Sequence, residues 1–204
     1  MLKKILIISP EFNEEFIRYQ PWKQLFELGI RMKQRGIDCI IGTNATNSKE
    51  IKGMEILSFE QKNLRTLTEK SKKKIIKLEP DVILWQGNPL SGIYMKNNNV
   101  NDIPIILYIS TVHMQWSEIK NLAIKEILQT NLLSFFMSFP ILRNVVKNLN
   151  YKTIAGIIVP NYSVNDRLVK LGVKKDKIRI SPLCFESDLP SIENKKNISK
   201  PFNI

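Results

Sequence analysis

The sequence is poor in the residues that build metal and disulfide sites. Its 204 residues include two cysteines, Cys39 and Cys184, and one histidine, His113. The cysteines lie far apart, in or next to apolar runs, and form no CxxC pair, so neither a disulfide framework nor a zinc site is indicated. We expect both to be buried or half-buried thiols.

Long hydrophobic runs are also missing. The first apolar run, beginning at Ile5, ends abruptly at Pro10-Glu11. A secretory signal needs about 7–15 apolar residues, so this run is better interpreted as a buried first strand. No stretch reaches the roughly 18 apolar residues that a membrane span requires. The composition, 43% hydrophobic and 25% charged, is typical of a globular protein, and we expect it in the cytoplasm.

Glycine is absent from the loop after the first run, residues 9–21. A GxGxxG loop and a Walker loop are therefore both excluded there, which argues against a nicotinamide-dependent dehydrogenase and a P-loop ATPase. The loop is long, polar and aromatic, which suits a sugar or lipid-linked sugar better than a pyrophosphate. The alternative is a surface loop with Phe12 and Phe16 tucked under it.

What the sequence does contain is a series of short apolar runs with helical patterns between them. Most runs are continuously apolar, as in strands covered on both faces of a parallel sheet. The runs are residues 4–9, 37–42, 54–58, 81–85, 104–109, 155–159 and 177–180. This order predicts an α/β fold: a doubly wound, mostly parallel sheet of about seven strands with helices on both faces.

Helices are predicted between these runs. One covers Trp22–Met32 and stops at Gly36, and a lysine-rich one covers Leu64–Leu78. Leu90–Lys96 predicts a short helix. Ser163–Asp166 resembles a capping box that opens another helix, ending at Leu171-Gly172.

The chain changes character near its carboxyl end. Residues 1–186 are predicted to form one Rossmann-like domain. Residues 187–204 are interpreted as a polar linker and the start of a further domain.

Ligands of an open parallel sheet bind beyond the carboxyl ends of its strands. After the fourth run come Gln86, Gly87 and Asn88: the amides can donate and accept hydrogen bonds, and the glycine allows close backbone approach. After the fifth run comes His113. A lone histidine is usually structural, but its place after a strand favours a functional role. No other histidine or cysteine lies near it in sequence, so a metal site is not expected.

The net charge is +12, from 31 Lys and Arg against 19 Asp and Glu. Anionic partners are one interpretation, and lysine-decorated helix faces are the other. Nucleic acid is disfavoured because no stacking platform or recognition motif accompanies the charge. Between Leu142 and Ile180, nine basic residues face two acidic ones, Asp166 and Asp176.

A basic amphipathic stretch, Leu122–Leu149, contains the aromatic segment Leu132–Phe139. It could press into an anionic bilayer and hold the protein peripherally on the inner face of the membrane. The favoured alternative is a helix pair packed on the sheet and broken at Pro140.

Several segments in order carry a family resemblance. The chain resembles the N-terminal domain of family 4 (group 1) glycosyltransferases of GT-B fold. The matching segments are Lys4–Pro10, Met32–Asp38, Pro80–Ile83, Thr111–His113, Ile157–Pro160 and Lys177-Ile178.

The resemblance implies retaining transfer of a sugar from a nucleotide sugar, without metal or other cofactor. A second domain would bind most of the donor, and its Arg and Lys would stabilise the departing diphosphate. His113 matches the family histidine that faces the donor sugar, with Thr111 and Asn161 lining the cleft. A saccharide or lipid-linked acceptor would lie against residues of the first and fourth loops. Those residues are Glu11, Arg18, Tyr19, Gln86, Gly87 and Asn88.

Two departures from the family pattern affect the expected site. The first loop lacks the Gly-Gly pair that is common there. After the last strand, Pro182–Phe185 stands where Asn-Gly-Val-Asp is usual. The E-x7-E element belongs to the second domain, so these residues alone are expected to be inactive.

Two other functions remain open from the sequence. One is a stand-alone α/β binding or regulatory module for an anionic ligand. The other is half of a sugar-nucleotide 2-epimerase, which shares the GT-B fold, since a fold does not fix a function.

Overall fold

The computed structural model describes residues 2–46, 48–62, 66–110 and 140–181. The predicted linker 187–204, the aromatic segment Leu132–Phe139 and Cys184 lie outside the described residues. Predictions for them therefore stay predictions.

Ten strands form two sheets in the described part of the chain. Eight belong to the main sheet and two to a small hairpin. They are β1 (Lys4–Ile8), β2 (Asp38–Thr43), β3 (Glu50–Ile51), β4 (Met54–Ser58), β5 (Gln61–Lys62), β6 (Thr66–Leu67), β7 (Val82–Gly87), β8 (Ile105–Ile109), β9 (Ile154–Val159) and β10 (Ile178–Ile180).

The main sheet has the order β10-β9-β8-β7-β1-β2-β4-β3. All neighbours are parallel except β3, which pairs antiparallel with β4. The chain starts in the middle and winds to both sides, so the predicted doubly wound α/β fold is confirmed. The seven predicted runs are all present, and the eighth strand is the short β3, whose two residues carry no apolar run.

Five α-helices connect the strands in the described residues. They are α1 (Trp22–Gln34), α2 (Glu69–Leu78), α3 (Gly92–Met95), α4 (Pro140–Lys147) and α5 (Tyr162–Lys170). Short 3-10 helices lie at Phe16–Arg18, Pro89–Ser91, Lys96–Asn98, Asn148–Asn150 and Lys175–Lys177.

Two predicted helix starts are wrong. The lysine-rich helix begins at Glu69 and not at Leu64, because Thr68 caps it by accepting a hydrogen bond from the Ser71 backbone N–H, and Thr66–Leu67 pairs as β6. The helix after β9 begins at Tyr162, because Asn161 and not Ser163 is its N-cap.

Among the described residues, helices pack against both faces of the sheet. Ile7 packs in one core cluster with Leu25 of α1. Leu6, whose side chain points to the opposite face, packs in the other cluster with Ile75 of α2 and Leu168 of α5. Burying such a side chain contributes about 1.5–3 kcal/mol. The core thus fixes the strand ends from both sides.

Two residues singled out in the sequence take structural roles. Cys39 is a fully buried free thiol within β2, as expected. Pro140 is the first residue of α4. A backbone N–H at that position has no carbonyl partner within the helix, so proline costs no helical hydrogen bond there. No helix among the described residues is long and apolar enough to cross a membrane.

Candidate functional site

The carboxyl ends of β1 and β7 are joined by a side-chain hydrogen bond. Ser9, directly after β1, is fully buried, and its hydroxyl donates to Gln86 Oε1 at 2.6 Å. Gln86 lies near the end of β7 and is half-buried. Because Ser9 occupies the carbonyl end of this amide, the other end, an NH₂ donor, is the one left for a ligand.

The first loop, residues 9–21, is held down by contacts with its own helix and with β2. The Trp22 indole N–H donates to the Pro10 carbonyl at 3.0 Å, and the Thr43 hydroxyl donates to the Phe12 carbonyl at 2.9 Å. Phe12 is fully buried and Phe16 is half-buried against Trp22, with ring centroids 5.0 Å apart. The two aromatic residues are therefore tucked under the loop, whose polar residues remain outside.

Glu11 adopts a backbone conformation that normally favours glycine. Its φ is 64°, in the left-handed region, and its backbone N–H donates to Asn44 Oδ1 at 2.9 Å. Such a conformation costs a non-glycine residue about 1–2 kcal/mol. The loop thus takes the turn without either glycine of the family pattern, and an exposed carboxylate stands at the turn.

Arg18 and Tyr19 lie near the end of the first loop and are both exposed. Tyr19 is 56% exposed, and its ring meets Phe16 edge-on at 6.5 Å. An exposed phenol ring offers a face for a sugar ring, and a guanidinium offers donors for hydroxyl groups. Their place in the site remains a prediction.

Gly87 and Asn88 are explained by local packing. A methyl group on Gly87 would lie 2.9 Å from Ser91 Oγ. Asn88 caps the 3-10 helix that follows: its Oδ1 accepts from the Leu90 N–H at 2.9 Å, and its own N–H donates to Ser91 Oγ at 2.8 Å. The glycine is therefore required by Ser91, and the Asn88 side chain retains its NH₂ group for a ligand.

Asn161 likewise has a structural task at the predicted cleft. It follows β9 and caps α5 by accepting a hydrogen bond from the Val164 N–H at 2.9 Å. It is exposed, so its NH₂ group faces outward from the capping bond. The other two predicted residues of the cleft, Thr111 and His113, lie outside the described residues.

Sequence reasoning missed Ser9 and Asn44, which orient two of the predicted residues. Ser9 directly follows β1, and Asn44 directly follows β2. The rule that selected Gln86, a polar residue at the carboxyl end of a strand, would have found both.

The electrostatics of the described edge do not indicate metal chemistry or a buried acid. Among described residues, no group of three or more His, Cys, Asp or Glu could hold a metal ion. Burial raises the pKa of Tyr108 to about 12, so its phenol stays protonated at neutral pH. The phenol donates to Gln24 Oε1 of α1, and Tyr108 therefore braces α1 against β8.

Comparisons with known proteins give matches of structure only. No family model matches the sequence, and no curated protein sequence does. The structure of HepE from Anabaena in complex with UDP-glucose aligns with a TM-score of 0.54 at 12% identity, over 89% of this chain and 44% of that one. The same protein with UDP and glucose aligns equally well, at 0.54 and 12%, over 90% and 45%.

A UDP-N-acetylglucosamine 2-epimerase from Rickettsia bellii has a TM-score of 0.46 at 15% identity, over 90% of this chain and 45% of that one. The chain spans less than half the length of these structures. The likeness shows the fold: an α/β, Rossmann-like domain that corresponds to one half of a GT-B fold.

Proposed function

We propose that this chain is the acceptor-side half of a retaining glycosyltransferase that uses a nucleotide sugar. The observation that carries the proposal is the edge built by Ser9 and Gln86. At the centre of a parallel sheet, where a nucleotide-binding domain has a glycine-rich loop, this domain presents the Gln86 amide and a braced loop that carries the exposed Glu11 carboxylate. The fold likeness to a protein solved with UDP-glucose supports the same class.

The described side chains suit a saccharide with many hydroxyl groups. The Glu11 carboxylate accepts hydrogen bonds from hydroxyls, and the free NH₂ groups of Gln86 and Asn88 donate to their oxygens. Tyr19 offers an exposed ring for a sugar face, and Arg18 lies next to it. We propose a saccharide or a lipid-linked saccharide as the acceptor.

We propose that the nucleotide-sugar donor is bound by groups outside this edge. We propose that His113 positions the donor sugar and stabilises its developing charge without acting as a nucleophile. The leaving diphosphate would be stabilised by Arg and Lys of a second domain, an electrostatic task that requires no metal. The nucleotide sugar would bind mainly to that domain.

Acceptor binding can be tested on this chain alone. Saturation-transfer NMR with a panel of mono- and oligosaccharides is expected to give a signal that Arg18→Ala and Gln86→Ala each weaken. Arg35→Ala is the matched control, because Arg35 is exposed at the far end of α1. Equal signals from all three variants would remove the proposed acceptor site.

Catalysis is tested in the protein encoded by the whole source gene. The reading frame beyond codon 204 is expected to encode about 150–200 further residues with an E-x7-E element. His113→Ala in that protein is expected to reduce transfer strongly and leave the unfolding transition unchanged. Conversion of a nucleotide sugar into its 2-epimer without any acceptor would instead identify a 2-epimerase.

A further inference from the structure

Unpaired lysines gather where β9 and β10 begin. This is the amino-terminal edge of the sheet, opposite the candidate site. All are exposed, and we call them the basic corner: Lys147, Lys152, Lys170, Lys174 and Lys175.

The two loops of the basic corner are held in place by a hydrogen-bonded framework. Lys177 Nζ donates to the carbonyls of Asn150, Tyr151 and Ile154 at 3.0, 2.7 and 2.7 Å. The Asn150 side chain then bridges the two loops, because it donates to the Gly172 carbonyl and accepts from the Lys174 N–H. Lys177 therefore acts as a structural cation, and the lysines around it are presented on a fixed surface.

The lysines of α2 behave differently. Lys70 pairs with Glu60 at 2.9 Å and Lys72 with Glu69 at 2.8 Å, and the Lys74 ammonium donates to the Ser58 carbonyl. In the part of the chain that the structure describes, no side chain of the basic corner forms an ion pair or a hydrogen bond. Among the described residues, three of the five lysines of α2 are therefore held by a partner, whereas the five side chains of the basic corner are not.

The charges at the corner are close enough to act on each other. Burial lowers the pKa of Lys177, and the neighbouring Lys174 charge lowers it further. One acidic residue, the exposed Asp176, lies among them. Elsewhere along the same edge the strands start next to acidic residues, namely Asp38, Glu79, Asp81 and Asp102. Acidic residues therefore lie among the basic ones at the starts of β2, β7 and β8, whereas Asp176 is the one described acidic residue at the basic corner.

An amphipathic aromatic residue lies within this positive surface. Tyr151, 40% exposed, precedes Lys152 at the start of β9. A tyrosine beside lysines suits the headgroup level of a bilayer, where the ring contacts apolar carbon and the hydroxyl contacts water. Single-stranded nucleic acid instead binds through several stacked aromatic residues. One exposed ring does not provide that platform.

We propose that the basic corner docks on an anionic lipid bilayer. The six residues of β9 span about 20 Å from this edge to the opposite one. Docking would therefore leave the loops of the candidate site uncovered. This proposal does not rest on the glycosyltransferase function.

Co-sedimentation of the 204-residue chain with vesicles tests the proposal. Binding is expected to vesicles that contain phosphatidylglycerol, to weaken as salt is added, and to be absent from phosphatidylcholine alone. The variant with Lys170→Gln, Lys174→Gln and Lys175→Gln is expected to bind about 100-fold more weakly, since each lysine near such a surface contributes about 1 kcal/mol.

A matched variant separates the corner from net charge. Replacing Lys70, Lys73 and Lys77 of α2 with glutamine removes the same charge and is expected to leave vesicle binding within about threefold of wild type. Equal loss in both variants, or no binding to either vesicle, would overturn the proposal. The proposal would also be overturned if the wild-type chain bound single-stranded RNA but no vesicles, and if only the corner variant lost this RNA binding. The partner would then be nucleic acid.

Discussion

The Ser9 hydroxyl donates a 2.6 Å hydrogen bond to Gln86 Oε1 and so joins the carboxyl ends of two adjacent parallel strands. Ser9→Ala is expected to lower the free energy of unfolding by about 1 kcal/mol, because a half-buried carbonyl oxygen loses its donor. Gln86→Glu keeps an acceptor for Ser9 and is expected to stay within about 0.5 kcal/mol of wild type. Urea unfolding followed by circular dichroism measures both. An unchanged midpoint for Ser9→Ala would contradict the role of this bond.

Glu11 allows a test of backbone strain at the first loop. Glu11→Gly is expected to raise the free energy of unfolding by about 0.5–1 kcal/mol, because glycine adopts a φ of 64° without steric conflict. Glu11→Ala removes the same carboxylate but keeps the conflict, so it is expected to give no gain. Equal stability of the two variants would show that the left-handed turn is not maintained in solution.

The same two variants address the acceptor site. Both are expected to weaken saccharide binding equally in the NMR assay, since both lack the carboxylate.

Position 87 requires glycine because Ser91 packs directly against it. Gly87→Ala places a methyl group 2.9 Å from Ser91 Oγ and 3.3 Å from Leu107 Cδ2. We expect a loss of about 1–3 kcal/mol in the free energy of unfolding, as for other overpacked sites. Gly156→Ala in β9 is the control, because its added methyl group meets one atom, the Lys177 carbonyl oxygen, at 3.7 Å. A stable Gly87→Ala protein would argue that the backbone there is freer than the structure indicates.

Cys39 links stability to alkaline pH. Burial, and then the charge of Asp38, raise the pKa of its thiol from 9.0 to about 11, although Lys33 opposes the shift. The folded state therefore holds this proton more tightly than the unfolded state does. Its stabilising contribution is complete below pH 9 and is lost as the pH rises through 11.

Cys39→Ala removes this contribution. The difference in free energy of unfolding between wild type and Cys39→Ala is expected to shrink across that window, because the other titrating groups are common to both proteins. A difference that stays constant with pH would contradict the raised pKa.

The fold was accessible from the sequence because its determinants are local. A strand with a continuous apolar run, such as the one at Ile5, buries all of its side chains only when both faces of the sheet are covered. The helical patterns between these runs then require parallel crossovers. The start of α2 was misplaced because Thr66 and Leu67 pair with the short strand β5 in a small hairpin, and their own pattern does not reveal that pairing. The cap of α5 was misplaced because Asn161 and Ser163 are both good caps, and backbone geometry selected the first.

The candidate site was accessible only in part. The position of Gln86 after a strand follows from the sequence, since the carboxyl ends of parallel strands share an edge. Its orientation depends on Ser9, which lies 77 positions earlier in the chain. The roles of Gly87 and Asn88 as packing and capping residues likewise depend on where Ser91 turns back towards them.

The sequence by itself determined the alternation of strands and helices, the absence of a glycine-rich phosphate loop after β1, and the excess of positive charge. These properties follow from the identity and spacing of neighbouring residues. Only the tertiary structure decided which amide end faces the site, that Glu11 takes the turn of a glycine, and which lysines lack partners. Each of these depends on contacts between segments far apart in sequence, because burial and hydrogen-bond pairing are set when the sheet brings those segments together.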